Sequence, residues 1–225
     1  PRQGKTAALN LAVSQASGEI LVFSDANSIF DRDALRQLLS NFSDPTVGYV
    51  TGHITYLNPS NSSTGRGCTD YMDYETILRK SETLLGSVVG VNGGIDAVRA
   101  GLYQPMRANQ LPDFILPLKV VEKGYRVVYE AAARSFEEVP SSPEGEYRMR
   151  VRVALRALWS IWEMSHLLNP IRYGMFSFQL LFHKLLRYLS SWLFLLLYSV
   201  SAILALSIPA YLVVFSVASM FILLA

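Results

Sequence analysis

Two side chains that carry oxygen ligands follow a short apolar stretch near the start of the chain. Ile20 to Phe23 are four consecutive apolar residues between turn-forming residues, which predicts a strand buried on both faces in a parallel or mixed sheet. Asp25 and Asn27 come directly after it. Ligands of open α/β sheets bind at the carboxyl ends of strands, and oxygen ligands of this kind suit Mg²⁺ or Mn²⁺. A simple turn cap formed by Asp25 explains the same pattern.

Two later stretches also stand out by residue type and spacing. Gly90, Gly93 and Gly94 lie within a few residues of each other. Closely spaced glycines allow the backbone to approach a ligand or to make a tight bend, and the pattern fits both. Asp113 follows Pro112 at the start of an apolar helical pattern, where an acidic residue stabilises a helix terminus.

The elements that must position these residues alternate between helical and extended patterns. Apolar residues at helical spacing predict helices over residues 1–17, 31–43, 69–85, 112–124 and 144–168. Strand patterns cover residues 20–23, 47–57, 125–129 and 131–139. The expected buried positions of the second and third helices are Leu35, Leu38, Leu39, Phe42, Tyr71, Tyr74, Leu78 and Leu85. A stretch rich in Asn, Ser, Gly and Pro predicts a mobile surface loop over residues 58–67.

The end of the chain has a different composition. From Ser190 to Ala225 there are 36 residues without Asp, Glu, Lys or Arg. One helix of that length would extend roughly 54 Å, well beyond a hydrocarbon core of about 30 Å. We therefore expect two membrane spans over residues 190–225, joined near Pro209, with the second one cut short. Residues 173–189 mix apolar and basic side chains, which is typical of a helix in the headgroup plane.

The distribution of charge and cysteine excludes several classes of protein. The net charge is +2, and the basic surplus lies just before the apolar tail, at Arg148, Arg150, Arg152, Arg156, Arg172, Lys184 and Arg187. Such juxtamembrane residues mark the cytosolic side and pair with anionic lipids. Because no basic stretch interleaved with aromatic residues precedes them, we do not expect nucleic-acid binding. The single cysteine, Cys68, excludes an internal disulfide and suits a reducing compartment.

Neither end of the chain has the features of a natural terminus. Pro1 stands immediately before a predicted helix, without an initiator methionine or a signal segment. Ala225 lies inside an apolar run. We therefore expect an internal fragment of a longer protein, with further strands of the sheet encoded before Pro1.

The order of these motifs resembles the membrane-bound family 2 glycosyltransferases, the group that includes cellulose, hyaluronan and poly-N-acetylglucosamine synthases. The stretch from Arg2 to Asn10 resembles the family's Gly-Lys...Ala-Leu-Asn element beside the nucleotide. Ser24 to Asn27 resembles its Asp-x-Asp metal motif, with Asn27 in place of the second acid. The resemblance covers essentially the whole chain.

Further matches lie in the middle of the chain. Ser87 to Arg99 is similar to the Gly-rich acceptor-side segment, which is commonly followed by two arginines; Ala100 replaces the second one. Leu111 to Phe114 resembles the segment with the catalytic base, although Pro112 stands where the family usually has an acid. The Gln-x-x-Arg-Trp motif of processive synthases is absent as such. Arg and Trp residues occupy its region in a different spacing, at positions 152, 156 and 159.

The resemblance implies a GT-A (Rossmann-like) mixed sheet flanked by helices over residues 1–172, then an interfacial amphipathic helix and transmembrane helices. It implies an inverting glycosyltransferase with its catalytic domain in the cytoplasm, in a multi-pass protein of the cell (inner) membrane. The donor would be a nucleotide-diphosphate sugar, and we expect a UDP-sugar. The acceptor would be a saccharide or a lipid-linked acceptor at the bilayer, in polysaccharide or glycolipid synthesis.

The resemblance also assigns roles to individual residues. Asp113 would be the catalytic base that takes the proton of the acceptor hydroxyl. Asp25 and Asn27 would hold Mg²⁺ or Mn²⁺, with Lys5 beside the nucleotide. The implied substrate-binding residues are Gly93, Gly94, Arg99, Arg152, Arg156 and Trp159.

Two other functions explain parts of the same pattern. A P-loop nucleotide hydrolase with a membrane tail would use Gly4, Lys5 and Thr6 as the end of a Walker A motif and Asp25 in a Walker B strand. It would leave the Gly-rich segment and Asp113 without a role. A non-catalytic relative would keep the fold as a membrane partner. Convergence of Asp25 and Asp113 on one cleft is the feature that favours the enzyme.

Overall fold

The computed structural model describes residues 4–57, 63–138 and 143–224. The chain forms two compact units, Pro1–Leu181 and Phe182–Ala225. Three sequence-based interpretations fall partly outside the described residues: the Arg2 end of the nucleotide-side motif, residues 58–62 of the predicted loop, and Val139 at the end of a predicted strand.

The first unit alternates strands and helices. Its strands are β1 Ile20–Ser24, β2 Ile29–Phe30, β3 Val47–Leu57, β4 Ile95–Arg99 and β5 Arg126–Glu138. Its helices are α1 Lys5–Gln15, α2 Ala34–Ser40, α3 Ser63–Leu85, α4 Pro112–Glu122, α5 Pro143–Glu163, α6 Pro170–Tyr173 and α7 Met175–Gln179. Short 3₁₀ turns cover Asn41–Ser43, Ala100–Leu102 and Ser165–Leu168.

The strands form one mixed sheet in the order β1-β4-β3-β5-β2. β3 and β5 run parallel, whereas the pairs β1-β4, β3-β4 and β2-β5 are antiparallel. A register shift between Gly52 and His53 lets β5 follow β3 along nearly its whole length. The two strands predicted between residues 125 and 139 are therefore one long strand, β5. The expectation of a mixed sheet flanked by helices is confirmed.

Helices cover both faces of the sheet. On one face, Ala34 and Leu38 of α2 pack against Val50 of β3, Ala97 of β4 and Val128 of β5, all buried. α4 is apolar almost all round, which is typical of a buried helix, and most of its side chains are inaccessible to solvent. Burying one such aliphatic side chain contributes about 1.5–3 kcal/mol. This packing holds α2 against β3, β4 and β5.

Some expectations about burial were wrong. Among the described residues β1 pairs only with β4, and Val22 is 39% exposed, so β1 is not buried on both faces. In α2, Leu35 and Leu39 are exposed, because the short helix turns only Ala34 and Leu38 towards the sheet.

The third helix also differs from its prediction. It begins at Ser63, inside the stretch predicted to be a loop. Tyr74 and Leu85 are exposed, whereas Met72 and three charged residues are buried. The apolar pattern predicted the wrong buried face of this helix, because the residues that are buried are mostly charged.

The second unit is a helical hairpin. α8 Leu186–Ala205 and α9 Ala210–Leu224 meet through the rings of Tyr198 and Phe215, whose centroids lie 5.0 Å apart. The break at residues 206–209 lies where the sequence places the junction. Residues 175–205 are helical throughout, with a π-helical stretch at Leu180–Leu185, so no break separates an interfacial helix from a span at residue 189. By length and composition, Met175–Ala205 is one candidate membrane span, and the apolar helix Ala210–Ile222 is shorter.

Candidate active site

Two carboxylates that are far apart in the sequence meet at one ammonium group. Lys5 Nζ lies 2.7 Å from Oδ1 of Asp25 and 3.3 Å from Oδ2 of Asp113. All three side chains are partly open to solvent. The structure therefore brings together the predicted metal ligand, the predicted base and the predicted nucleotide-side lysine in one cleft.

Each of the three residues stands at the end of a regular element. Asp25 follows β1, and the amide of Ser28 donates to the Asp25 carbonyl oxygen at 3.1 Å, which closes the turn. Asp113 lies in the first turn of α4, directly after Pro112. Proline suits the first position of a helix because a backbone N–H there would have no partner within the helix. Lys5 is the first residue of α1. Short, regular elements thus fix the backbone of each functional side chain.

Hydrogen bonds tie α1 to the segment that leads into α4. Thr6 Oγ1 donates to the carbonyl oxygen of Gln110 at 3.0 Å. The Asn10 amide group donates to Met106 O at 2.7 Å, and Asn10 Oδ1 accepts from Met106 N at 3.0 Å. Tyr103 also donates to Asn10 Oδ1, at 2.8 Å. These contacts explain the asparagine of the nucleotide-side motif, since they hold the start of α1 beside the start of α4.

The glycine-rich segment packs directly on the candidate base. Gly93 has φ +82°, and a Cβ atom at this position would lie 2.5 Å from Asp113 Cγ. A Cβ atom at Gly94 would collide with the Glu137 carboxylate and lie 2.9 Å from Ile54 Cδ1. Glycine at position 93 is favoured by its positive φ and by its close approach to Asp113, whereas a Cβ atom at Gly94 would require the Glu137 and Ile54 side chains to move.

The electrostatic environment suits a base. Burial raises the pKa of Asp113; the Lys5 ammonium opposes the shift, and the negative charge of Asp25 adds to it. Burial lowers the pKa of Lys5, but the carboxylates of Asp113 and Asp25 outweigh this effect and raise it. A carboxylate with a raised pKa accepts a proton more readily than an ordinary one. The lysine stays charged and balances the two acids.

A further acid, Asp96 of β4, was missed by the sequence analysis. It is 1% exposed, and its Oδ1 has no hydrogen-bond partner among the described residues. Burial raises its pKa to about 7, the charge of Asp113 adds to the rise, and hydrogen bonds with Thr51 and Tyr49 oppose it. An acid between Ile95 and Ala97, in an apolar strand, was the signal that could have found it.

Arg99 does not lie beside Lys5, Asp25 and Asp113. It pairs with Ile20 at the start of β1, whereas Asp25 follows the other end of that strand. Its guanidinium donates to the carbonyl oxygen of Val47 at 2.8 Å and to two further carbonyl oxygens, those of Phe42 and Asp44. The structure therefore does not bring Arg99 to the predicted substrate site, because these contacts use the side chain to hold the segment between α2 and β3.

The predicted residues of α5 lie on another part of the first unit. Arg152 and Arg156 lie along one exposed side of α5 together with Tyr147, Arg148, Val151 and Leu155. Trp159 Nε1 donates to Oε1 of Glu163 at 2.5 Å, and Oε2 of Glu163 accepts from Gln110 at 2.6 Å. Trp159 thus supports the segment before α4. The hydrogen bonds and ion pairs of the described residues do not link Arg152 or Arg156 to Asp113.

The donor set fits a divalent ion that takes most of its ligands from elsewhere. Asn27 is exposed in the turn after β1, on the same loop as Asp25. The described residues contain no group of three or more His, Cys, Asp or Glu side chains that could enclose a metal. Mg²⁺ and Mn²⁺ are often bound by one or two carboxylates plus phosphate oxygens and water, so one carboxylate and one amide are compatible with such an ion.

Comparisons with known proteins agree with this arrangement. The family model described as glycosyl transferase family group 2 matches residues 20–222. Poly-beta-1,6-N-acetyl-D-glucosamine synthase of Staphylococcus aureus (strain COL) is 30% identical over 159 residues, which are 68% of this chain and 38% of the relative. The synthase of the same name from Staphylococcus epidermidis is 26% identical over 172 residues, 70% of this chain and 41% of the relative. The chain thus spans about two fifths of these relatives.

A solved structure shows the same fold. Mannosyltransferase PcManGT from Pyrobaculum calidifontis, in complex with GDP-Man and Mn²⁺, superposes with a TM-score of 0.61 at 21% identity. The match covers 98% of this chain and 65% of that one. The expected GT-A-like fold is therefore confirmed. Since the family model matches most of the chain, this protein belongs to the family group 2 glycosyl transferases.

Proposed function

We propose that this chain carries the catalytic site of an inverting glycosyltransferase. It would move a sugar from a nucleotide-diphosphate sugar to an acceptor hydroxyl at the cytosolic face of a membrane, in polysaccharide synthesis. The observation that carries the proposal is the convergence of Asp25 and Asp113 on Lys5, at 2.7 and 3.3 Å.

In this mechanism Asp113 is the general base. Its carboxylate accepts the proton of the acceptor hydroxyl while that oxygen attacks the anomeric carbon from the side opposite the diphosphate. Burial of Asp113 raises its pKa and so favours proton transfer. One direct displacement inverts the anomeric centre, and no covalent enzyme intermediate forms.

The opposite side of the cleft binds the leaving group. Asp25 and Asn27 would hold Mg²⁺ or Mn²⁺, which supplies positive charge to the departing diphosphate when bound. Lys5 adds a second positive charge within hydrogen-bond reach of Asp25. The presence of Mn²⁺ with GDP-Man in the mannosyltransferase of the same fold supports a metal-dependent reaction.

The substrates are proposed from the relatives and from the surface of the first unit. The names of the synthases support an amino-sugar polymer as product, hence a UDP-sugar donor and a saccharide acceptor. The backbone at Gly93 borders the base, and together with the adjacent Gly94 it would face the acceptor. The guanidinium groups of Arg152 and Arg156 on α5 would contact an anionic portion of a substrate.

Membrane attachment is proposed for the second unit. The outer surface of α8 carries large exposed apolar side chains, among them Trp192, Leu196 and Ile203. In water such a surface is unfavourable, whereas in a bilayer it contacts lipid. We propose that α8 and α9 are membrane helices of a multi-pass protein in the cell membrane, with the basic residues before them on the cytosolic side.

The two alternative functions, a P-loop hydrolase and a non-catalytic relative, receive different support. A P-loop hydrolase requires a parallel strand-helix-strand arrangement around its phosphate loop, but β1 is antiparallel to β4, its neighbour among the described strands. The family match also argues against it. A non-catalytic relative would share the fold, and Asn27 and Pro112 are the departures from the family pattern that favour it.

The test is donor turnover by the full-length protein in membranes. A panel of UDP- and GDP-sugars is incubated with Mn²⁺, with Mg²⁺ or with a chelator, and the released nucleoside diphosphate is measured. We expect release from one donor that requires metal and is lost in Asp25→Asn. Asp33→Asn, an exposed acid next to α2, is the matched control and should retain it. No release of nucleoside diphosphate from any donor would favour the non-catalytic relative, and ATP hydrolysis would favour the P-loop enzyme.

A further inference from the structure

Helix α3 buries three charged side chains on one face. Glu75 is 0%, Arg79 5% and Glu82 5% exposed, and their spacing places them on the same side of the helix. Charged residues are seldom buried to this extent unless they are paired. This face of α3 is turned towards the glycine-rich segment, residues 86–94, so the charges have a defined partner in the fold.

The charged side chains hold the backbone of that segment. Arg79 Nε donates to the carbonyl oxygen of Gly90 at 3.2 Å, and its Nη2 donates to Oε2 of Glu75 at 3.2 Å. Oε2 of Glu82 accepts a hydrogen bond from the amide of Val89, also at 3.2 Å. Two consecutive residues of the segment are thus held by α3, one through its carbonyl group and the other through its amide.

The other end of the segment is fixed by β3. The Asn92 side-chain amide donates to the carbonyl oxygen of Gly52 at 2.8 Å, and the Asn92 backbone amide donates to Thr51 Oγ1 at 3.3 Å. The next residue, Gly93, packs on the Asp113 carboxyl group. The backbone from Val89 to Gly93 therefore connects the residues held by α3 to the residue that packs on the proposed base.

Stability alone is a weak explanation for the buried charges. The desolvation of a buried ion pair roughly cancels its attraction, and apolar residues of similar volume are often as stabilising. Apolar side chains would not form directed hydrogen bonds to the Gly90 carbonyl and the Val89 amide. The charged side chains instead orient the glycine-rich segment. Its glycines would otherwise allow the backbone to adopt other conformations.

We propose that Arg79 and Glu82 are positioning residues for Asp113. They hold Val89 and Gly90, and β3 holds Asn92, so that Gly93 keeps the carboxyl group of Asp113 aimed at the acceptor hydroxyl. The inference rests on the proposed function, since it assigns the two residues to the acceptor half of that reaction. The donor half, formed by Lys5 and Asp25, makes no contact with α3 among the hydrogen bonds and ion pairs of the described residues.

The experiment compares kinetic constants of the full-length protein in membranes. The donor is the one that the panel identifies, and the acceptor probe is a short N-acetylglucosamine oligosaccharide. In Arg79→Met and Glu82→Leu we expect kcat to fall about 10- to 100-fold, because a misplacement of about 1 Å can reduce the rate by that amount. The acceptor KM should rise at least threefold while the donor KM stays unchanged.

Conservative variants and a surface control separate positioning from folding. Glu82→Gln keeps an oxygen acceptor for Val89 and Arg79→Lys keeps a donor for Gly90, so both should recover part of the lost kcat. Lys80→Met, on the exposed side of α3, should match the unaltered protein.

The possible outcomes separate a failure of the positioning role from a failure of the proposed function. An equal fall of kcat in all four variants, with no recovery in Glu82→Gln and Arg79→Lys and with both KM values unchanged, would mean a merely structural role and would overturn the inference. Unchanged kinetics in Arg79→Met and Glu82→Leu would overturn it too. If the unaltered protein turns over no donor, the proposed function itself fails. Should the apolar variants not fold, the conservative pair decides by the same change in acceptor KM.

Discussion

The backbone of Gly93 packs so closely on Asp113 that a Cβ atom at position 93 would lie 2.5 Å from Cγ of the carboxyl group. Cβ atoms in proteins do not come this close to an atom of another side chain, so only glycine at position 93 allows the present position of Asp113. The glycine-rich segment and the proposed base are thus parts of one arrangement, although they belong to different elements of the fold.

Gly93→Ala should therefore displace the base. The added methyl group would push on Asp113, and φ +82° is unfavourable for alanine by roughly 1–2 kcal/mol. We expect transfer to fall at least tenfold while donor binding remains within about threefold. Gly101→Ala is the matched control, because a Cβ atom there meets open space. Equal activity of the two variants would contradict the close approach.

Asp96 should make stability depend on pH. In the unfolded chain its pKa is near the ordinary value of 3.8, whereas burial raises the folded value to about 7. Between these values the folded state holds a proton that the unfolded state has lost, so stability falls as pH rises from about 4 to about 7 and then levels off. Three pKa units correspond to about 4 kcal/mol.

Replacement of Asp96 by Asn removes this titration and keeps the side-chain shape. We expect the thermal midpoint of Asp96→Asn to exceed that of the unaltered protein at pH 8 and to equal it at pH 4, measured in the same detergent. Asp33→Asn, which changes an exposed acid, is the matched control. A constant offset between Asp96→Asn and the unaltered protein at every pH would show that Asp96 does not titrate in this range.

Lys5 should act mainly on the donor. Loss of its ammonium in Lys5→Gln leaves Asp25 and Asp113 without the positive charge that now contacts both. Because hydrogen bonds to charged groups contribute about 1.5–3 kcal/mol, kcat/KM for the donor should fall roughly 10- to 100-fold. Lys123→Gln, at the exposed end of α4, provides the comparison and should have little effect. A change confined to the acceptor KM would argue against this placement.

The second unit should be embedded in lipid. Leu196 is an exposed residue of α8, and an arginine at the centre of a membrane helix costs about 2.5–3.5 kcal/mol. We expect the protein to stay in the membrane pellet after alkaline carbonate extraction and Leu196→Arg to reduce the amount retained. Leu11→Arg, on the exposed surface of α1, should change nothing. Release of the unaltered protein by carbonate would contradict membrane insertion.

Sequence reasoning located the parts of the site that depend on local pattern. The bounds of β3 follow from its alternation, and Asp25 and Asp113 follow from their places at the ends of a strand and a helix. Their convergence on one cleft was named from the sequence as the feature that would favour an enzyme, but the contact of Lys5 with both was not predicted.

Other features depend on contacts between distant residues, which a local pattern does not contain. Arg99 fits the family pattern, yet three carbonyl oxygens of the α2-β3 connection hold its guanidinium away from the cleft. The buried face of α3 was misassigned because periodicity counts apolar residues, and this face is formed by Glu75 and Arg79. Asp96 was overlooked for the same reason, as a polar residue in an apolar strand.

The central claim is that Asp113 takes the proton of the acceptor hydroxyl. Its most direct test is transfer and donor binding by Asp113→Asn, which keeps the size of the side chain and removes the base. We predict that transfer falls about 100- to 10,000-fold, the usual contribution of a general base, while donor affinity stays within about threefold. Transfer within tenfold of the unaltered protein, or loss of donor binding together with transfer, would contradict the account.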